Sequence, residues 1–415
     1  MTGSSFQPLP PQAYAAALAD LPGMGPAQLV ALLTQGSPAS LWEQILSGHI
    51  RRPEPRTTTA SGRHRIPWAV AAARIDVARR WQAMDAAGVH VAYLGAATMP
   101  GVLARDPEPP GVLFSRGHLG VLERPCVAIV GTRNCTGYGR SLARELGHDL
   151  ASCGICVVSG LALGIDGAAH EGALSAPAGA GPLGVAASGV DVPYPRRHAA
   201  LWAGVASSGA VISETAPGRS AQSWRFPSRN RLIAAVSSAV VVVESHAAGG
   251  SMLTVAAAAE RGVEVLAVPG PVNSASSAGT NQLLHEGLTP VRHAGDVLAA
   301  IGDLRPWPPA QAATVAGRRF DTTAGRRSGD PSRRRDPRGR PALSAPALPT
   351  SALPAPALTA PERRVLEAVD RTPTATSVIA DRAGLSLTTL SSMLLRLEAS
   401  GLIRGAGMWW ERSVP

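Results

Sequence analysis

The chain has 415 residues, a formal charge of +10, 45% hydrophobic residues and only 4% aromatic ones. At roughly 150 residues per domain this implies about two to three domains, and the apolar fraction excludes a wholly disordered chain. A membrane-spanning helix is excluded too, because the longest strongly apolar run, Ala239 to Val243, falls far short of ~18 residues.

Met1 to Pro10 shows neither a charged n-region nor an apolar h-region, so no secretory signal is read and a cytoplasmic protein is expected. Residues 1–87 read as a small helical domain, with two or three short helices between Gln12 and Ile50. Within it, Leu21-Pro-Gly-Met-Gly-Pro26 and the following Ala27 to Leu33 carry the Gly-x-Gly turn and helix start of a helix-hairpin-helix or SAM-like unit. In that motif, amides at a helix N-terminus face a phosphate. The plainer alternative is a helical scaffold whose glycines permit a tight turn. A polar stretch with Arg51, Arg52, Arg56, Arg63 and Arg65 precedes a helix expected from about Pro67 to Ala87.

Residues 88–303 form the second expected domain. From Val121 onward, short apolar β-branched runs alternate with helical segments. Strands are predicted at Cys126 to Val130, Ile155 to Ser159, Leu183 to Ala187, Ala210 to Ser213, Ala239 to Glu244 and Val263 to Val268. Helices are predicted near Gly139 to Cys153, Gly164 to Leu174, His198 to Ala206, Arg229 to Val236 and Thr254 to Arg261. Near-continuous apolar strands alternating with helices imply an α/β fold, a Rossmann-like three-layer domain with a parallel sheet covered on both faces. Such sheets bind ligands at the carboxyl ends of their strands.

Residues 304–358 read as an Arg/Pro/Ala-rich linker and 359–415 as a winged helix. Val365, Leu366 and Val369, then Val378, Ile379 and Ala383, then Leu387, Leu390, Leu394 and Leu397 mark three helices. A β-hairpin around Gly405 to Glu411 follows them. All 39 basic side chains are arginines, and their distribution is uneven. Residues 121–300 hold 12 Arg and 12 acids, whereas 301–360 hold 10 Arg and 4 acids, concentrated between Arg318 and Arg340. That segment is either a solvated tether or an arm that attracts polyanions, and the two readings are compatible.

The four cysteines, Cys126, Cys135, Cys153 and Cys156, lack a second pair or a His cluster at ligand spacing. They are expected to be reduced thiols, with no metal site. Chemistry concentrates instead where the predicted strands end. The turns are Gly131-Thr132-Arg133, Ser159-Gly160 leading to Asp166 and His170, Gly249-Gly250-Ser251, and Pro269-Gly270; Trp224 to Arg231 lies upstream of the fifth strand. Glycines let backbone amides approach an anion, helix N-termini favour negative charge, and arginines offer bidentate phosphate contacts. Phe226 and Trp224 suit base stacking at ~1–3 kcal/mol each. Any one turn could be simple βα geometry; four on one sheet edge suggest a long phosphate-lined groove.

A dinucleotide fingerprint is absent, since Gly131 and Gly137 stand six apart, and a Walker A sequence needs a lysine. Asp166 and His170 have acid–base spacing, but no nucleophile converges on them, so Asp166 is expected to orient its loop.

These motifs, in this order, resemble the DprA/Smf family of bacterial DNA-processing proteins. The residues that carry the resemblance run from Asp106-Pro107 and Leu113 to Gly117 through Val127 to Arg133, Ser159 to Asp166, Phe226 to Arg231, Gly249 to Thr254 and Pro269 to Asn281. The resemblance implies a non-enzymatic, cofactor-free, dimeric protein that binds and protects single-stranded DNA and helps load RecA recombinase during natural transformation. It implies DNA contacts at Gly131, Thr132, Arg133, Ser159, Gly160, Phe226, Arg229, Asn230 and Arg231, with Gly250 and Ser251 in a matching turn. Two departures stand out: the family usually has Arg where Leu163 sits, and often a basic residue near Ser223. The arginine-rich linker is expected to compensate. One Arg (Arg396) among many Ser and Thr in Ser386 to Ala399 favours protein contact over DNA reading by the winged helix. The alternatives are a Rossmann-like nucleotide-processing hydrolase and a winged-helix regulator with a ligand-sensing domain.

Overall fold

Valine-, isoleucine- and alanine-rich runs too short for helices pair into one nine-stranded sheet in the computed structural model, which describes residues 8–52, 66–177, 179–302 and, with short gaps, 358–412. The linker and its arginines lie outside the described residues. Among those described, no helix is long and apolar enough to cross a membrane. The chain divides into two compact units, residues 1–305 and 306–415.

The first unit opens with helices α1 (Pro11–Ala19), α2 (Pro26–Leu33), α3 (Pro38–Leu46), α4 (Trp68–Ala72) and α5 (Val77–Ala86). The helix expected over Pro67 to Ala87 is thus two, because Asp76 caps α5 by accepting from the Arg79 amide at 2.9 Å. Then come β1 (His90–Tyr93), α6 (Gly101–Ala104), β2 (Val112–Gly117), β3 (Cys126–Val130), α7 (Gly137–Ser152), β4 (Cys156–Ser159), α8 (Ile165–Ser175) and β5 (Leu183–Val185). After these follow α9 (Ala199–Ser208), β6 (Ala210–Ser213), α10 (Arg225–Ala235), β7 (Ala239–Val242), α11 (Met252–Ala259), β8 (Glu264–Ala267), α12 (Ala278–His285), β9 (Thr289–Pro290) and α13 (Ala294–Ala300).

The strand order is β1-β2-β6-β5-β4-β3-β7-β8-β9, antiparallel at β1–β2 and β2–β6 and parallel throughout the rest. All six predicted strands are present, within a residue or two at their ends. The two antiparallel strands and the short β9 are additions. From β3 the chain first steps outward through β4, β5 and β6, then returns past β3 to β7. The crossovers reverse there, so α7, α8 and α9 cover one face and α10 and α11 the other. A crevice opens between the carboxyl ends of β3 and β7, where such sheets take ligands.

Two of the apolar clusters among the described residues tie the sheet to its helices. Ala128, Val158, Ile212, Val240 and Val242 pack with Leu232, Ile233 and Leu283 in one. The other joins Leu18, Leu29, Trp42 and Trp68 of the N-terminal helices to Val91, Val112 and Phe114 of the antiparallel edge. The N-terminal helices therefore dock on the sheet. Cys126 and Cys156 sit in register across β3 and β4 as buried thiols.

The second unit contains α14 (Ala360–Ala368), β10 (Thr374–Ala375), α15 (Thr376–Ala383) and the hairpin β11 (Ile403–Ala406) and β12 (Trp409–Arg412). Thr359 and Glu362 form a capping box at the start of α14. Val365, Ile379, Leu390, Leu394, Leu397 and Ile403 make its core, and the three strands order β10-β12-β11, the winged-helix arrangement. Leu387 lies outside the described residues.

Candidate nucleic-acid interface

The crevice holds a cavity of about 410 Å³ whose walls are Gly131–Arg133 after β3, Gly249–Ser251 before α11, and Phe226, Arg229 and Asn230 on the first turns of α10. Each wall has a local cause. Gly131 is required by close approach, since a Cβ there would lie 2.6 Å from Ile165 and 2.7 Å from the Glu244 carbonyl. The loop after it is clamped by Glu244, which is buried and accepts from the Thr136 amide at 2.9 Å and the Thr136 hydroxyl at 2.5 Å. The Thr136 hydroxyl in turn accepts from the Gly139 amide, capping α7. Glu244 thus fixes the loop rather than meeting a ligand.

On the other side, the Ser251 hydroxyl donates to Ser245 Oγ at 2.7 Å, and Asn230 Nδ2 donates to the Gly250 carbonyl at 3.3 Å. The Gly250 and Ser251 amides show no hydrogen bond among the described residues, and both residues line the cavity at the N-terminus of α11.

Two guanidiniums approach the Phe226 ring. Arg133 sits 4.8 Å and Arg229 5.8 Å from its ring centroid, and the Tyr194 ring approaches at 5.9 Å with a 55° tilt. Arg133 is exposed and forms no ion pair among the described residues. Arg229 is 7% exposed, its Nε has no hydrogen-bond partner, and its Nη1 stands 3.7 Å from Asp166 Oδ2. The Gly160 amide donates to the same carboxylate oxygen at 3.1 Å. Burial holds the Asp166 carboxyl above its ordinary range against the pull of Arg229, and burial lowers Arg229. Asp166 therefore holds the Gly160 amide and the Arg229 guanidinium together. His170 is wholly buried, and burial presses it down to about 4, so it is neutral and removed from the cavity.

Of the residues named from sequence, the crevice brings together Gly131, Thr132, Arg133, Phe226, Arg229, Asn230, Gly250 and Ser251. Gly160 stands directly behind Arg229. Ser159 is fully buried, its hydroxyl donating to the Ile129 carbonyl at 2.6 Å, so it joins β3 to β4. Arg231 is not with the others. Its Nη2 meets both Glu214 oxygens at 2.6 and 2.7 Å, and its Nη1 donates to the Glu108 carbonyl at 2.6 Å. Two positions along a helix point in divergent directions, so Arg229 and Arg231 cannot share one pocket. Burial lifts Glu214 to about 7 despite Arg231. Arg231→Ala is accordingly expected to lower stability by about 1.5–3 kcal/mol through lost charged hydrogen bonds, while oligonucleotide affinity barely moves. Melting temperature and anisotropy titration separate the two effects.

Sequence reasoning missed Tyr194, which reaches Phe226 from the β5–α9 connection. It also missed Leu161, whose φ of +57° is the one left-handed non-glycine among the described residues. Leu161 is buried, and its carbonyl lies 3.0 Å from His198 Nδ1. Leu163 lines a small adjoining cavity with Arg133, Tyr194 and Phe226, where an arginine would add a third cation.

The family described as DNA recombination-mediator protein A matches residues 90–302, and the DprA winged helix domain matches residues 349–407. The DNA processing protein DprA of Bacillus subtilis is 36% identical over 211 residues, covering 51% of this chain and 70% of that protein. The putative DNA processing protein DprA of Mycobacterium tuberculosis is 38% identical over 197 residues, 47% of this chain; the match spans only half, 50%, of that relative's length. The X-ray structure of DNA processing protein A from Streptococcus pneumoniae has a TM-score of 0.57 and 28% identity, covering 71% of this chain and 98% of that one.

Proposed function

The chain belongs to the DprA/Smf family, and from that premise we propose that it binds single-stranded DNA across the crevice between β3 and β7. One observation carries this reading: Arg133 and Arg229 approach the half-buried Phe226 ring at 4.8 and 5.8 Å, at the mouth of a glycine-walled cavity. A partly exposed ring beside two guanidiniums offers a base a stacking surface and its phosphates two charged donors, which suits a strand with unpaired bases. Duplex DNA keeps its bases stacked inside and cannot use the ring.

The protein protects the strand and hands it to a RecA-type recombinase, working in the cytoplasm as a homodimer without catalysis of its own. The burial of His170 supports the last point, since the Asp166–His170 pair then has no access to a substrate. The winged helix serves protein contact: Arg396, the one arginine of its third helix, is paired with Glu362 at 3.2 Å.

The test is titration of labelled single-stranded and duplex oligonucleotides against the wild type and Arg133→Ala at two salt concentrations. Wild type is expected to prefer the single strand. Arg133→Ala should lose most of that preference, with a salt slope shallower by about 0.7 for one lost phosphate contact. Equal, weak binding of both DNAs by both proteins would refute the proposal.

A further inference from the structure

A second and larger cavity, of about 510 Å³, opens where the N-terminal helices meet the carboxyl edge of the sheet. One wall is the turn Leu21–Pro26, the helix-hairpin-helix-like sequence that the first cavity leaves unused. Trp68 Nε1 pins this turn by donating to the Pro22 carbonyl at 3.1 Å. At its end Gly25, the N-cap of α2, faces open space, with no atom within 4 Å of where a Cβ would stand.

The other walls are cationic. Arg74 and Arg80 come from the α4–α5 side, and Arg219 and Arg225 from the segment leading into α10. Asp20 answers two of them at once, accepting from Arg219 Nε at 2.8 Å and pairing with Arg80. Arg225 donates to the Ser220 carbonyl, and neither it nor Arg74 has an ion pair among the described residues. Glu214, the other carboxylate on the cleft, is committed to Arg231. Burial and then the charge of Arg219 weaken the hold of both Arg80 and Arg225 on their protons. Besides Arg229, four guanidiniums thus line a cleft whose Asp20 answers only two of them, an arrangement that an entering phosphodiester relieves.

Two further features point to a nucleic acid rather than a free anion. Trp224 is 55% exposed at the rim and lies 4.8 Å beneath the Arg225 guanidinium, ready to stack a base. Arg229 lines both cavities, so a strand leaving the first passes directly into the second.

We propose that this cleft is a second subsite for the same single strand: its arginines hold a backbone phosphate opposite the Leu21–Pro26 turn, and Trp224 stacks a base. The inference rests on the reading of the first cavity as a single-strand site, and the experiment keeps the two apart.

Anisotropy titrations of the full chain use oligothymidylates of roughly 4 and 16 nucleotides, the range of common single-strand site sizes. Trp224→Ala and the double variant Arg74→Ala/Arg225→Ala are each expected to weaken the longer strand about tenfold and leave the shorter one unchanged. Trp224→Phe should restore most of the loss, which a folding defect would not allow. Arg133→Ala should weaken both lengths. If the cleft variants weaken both lengths equally, or neither, while Arg133→Ala still weakens both, the second subsite is overturned. If Arg133→Ala weakens neither length and the cleft variants still weaken the longer strand, the first reading fails and the cleft stands as a site by itself.

Discussion

Gly160→Ala is expected to weaken single-stranded DNA binding by about 10- to 150-fold, the value of one charge-assisted contact, while the protein stays folded. The backbone at Gly160 does not demand glycine, since its φ is not positive. What demands glycine is the side chain behind it: a Cβ would collide with the Arg229 guanidinium and lie 2.7 Å from Asp166 Oδ2. The guanidinium is the far end of a flexible side chain and can swing away, so the fold escapes a backbone clash. Arg229 then leaves the wall it shares with Phe226, and the site loses one of its two cations. Gly120→Ala is the control, because no atom lies within 4 Å of its added Cβ and it lines neither cavity. It should change affinity by less than twofold, within the ±0.5 kcal/mol common to surface changes. Anisotropy titration and melting temperature on both variants give the answer. Unchanged affinity in Gly160→Ala would mean that Arg229 does not meet the strand.

The parallel half of the sheet was legible because burial on both faces writes each strand as an unbroken apolar run, as at Val127 to Val130 and Val240 to Val243. The antiparallel edge and the short parallel strand β9 were not. His90–Tyr93 mixes an exposed histidine with two buried residues, and Thr289–Pro290 is two exposed residues long. The start of α10 was expected near Arg229 but lies at Arg225, with Pro227 inside its first turn. A proline in the first turn of a helix forfeits no hydrogen bond, because those amides have no partner inside the helix. The glycine turns were readable one by one, and the sheet topology brings those after β3 and before α11 to one crevice. The fate of Arg231 was half readable: its distance of two from Arg229 on one helix forbids a common pocket, but only the fold supplies Glu214. Tyr194 and the arginine cleft had no local signal, because each depends on chain segments brought together by packing of the N-terminal helices or the β5–α9 connection.

Asp166→Asn is expected to tighten single-stranded DNA binding tenfold or more. Arg229 faces two anions in the bound state, the buried carboxylate 3.7 Å from its Nη1 and the entering phosphate. A phosphate on the far side of the guanidinium, roughly 7 Å from that carboxylate, is repelled by about 2 kcal/mol at an effective dielectric near 20. Asparagine removes the repulsion, keeps an oxygen to accept from the Gly160 amide, and leaves the phosphate as the counter-ion of Arg229. The fold should tolerate the change. Burial already holds Asp166 above the ordinary carboxylate range, so its neutral form is the one that folding favours. That contribution to stability is present at low pH and is lost as pH rises through the raised pKa. The same sign governs binding in the wild type. Acidification protonates Asp166 in the folded chain before it would protonate a free aspartate, so wild-type affinity should climb toward that of Asp166→Asn as pH falls. The variant itself should show a flatter profile over that window. Titrations of both proteins between about pH 4 and 7 at fixed ionic strength measure this convergence. Weaker binding by Asp166→Asn at neutral pH would show instead that the carboxylate serves the site by holding Arg229 in place, with its geometry worth more than its charge costs.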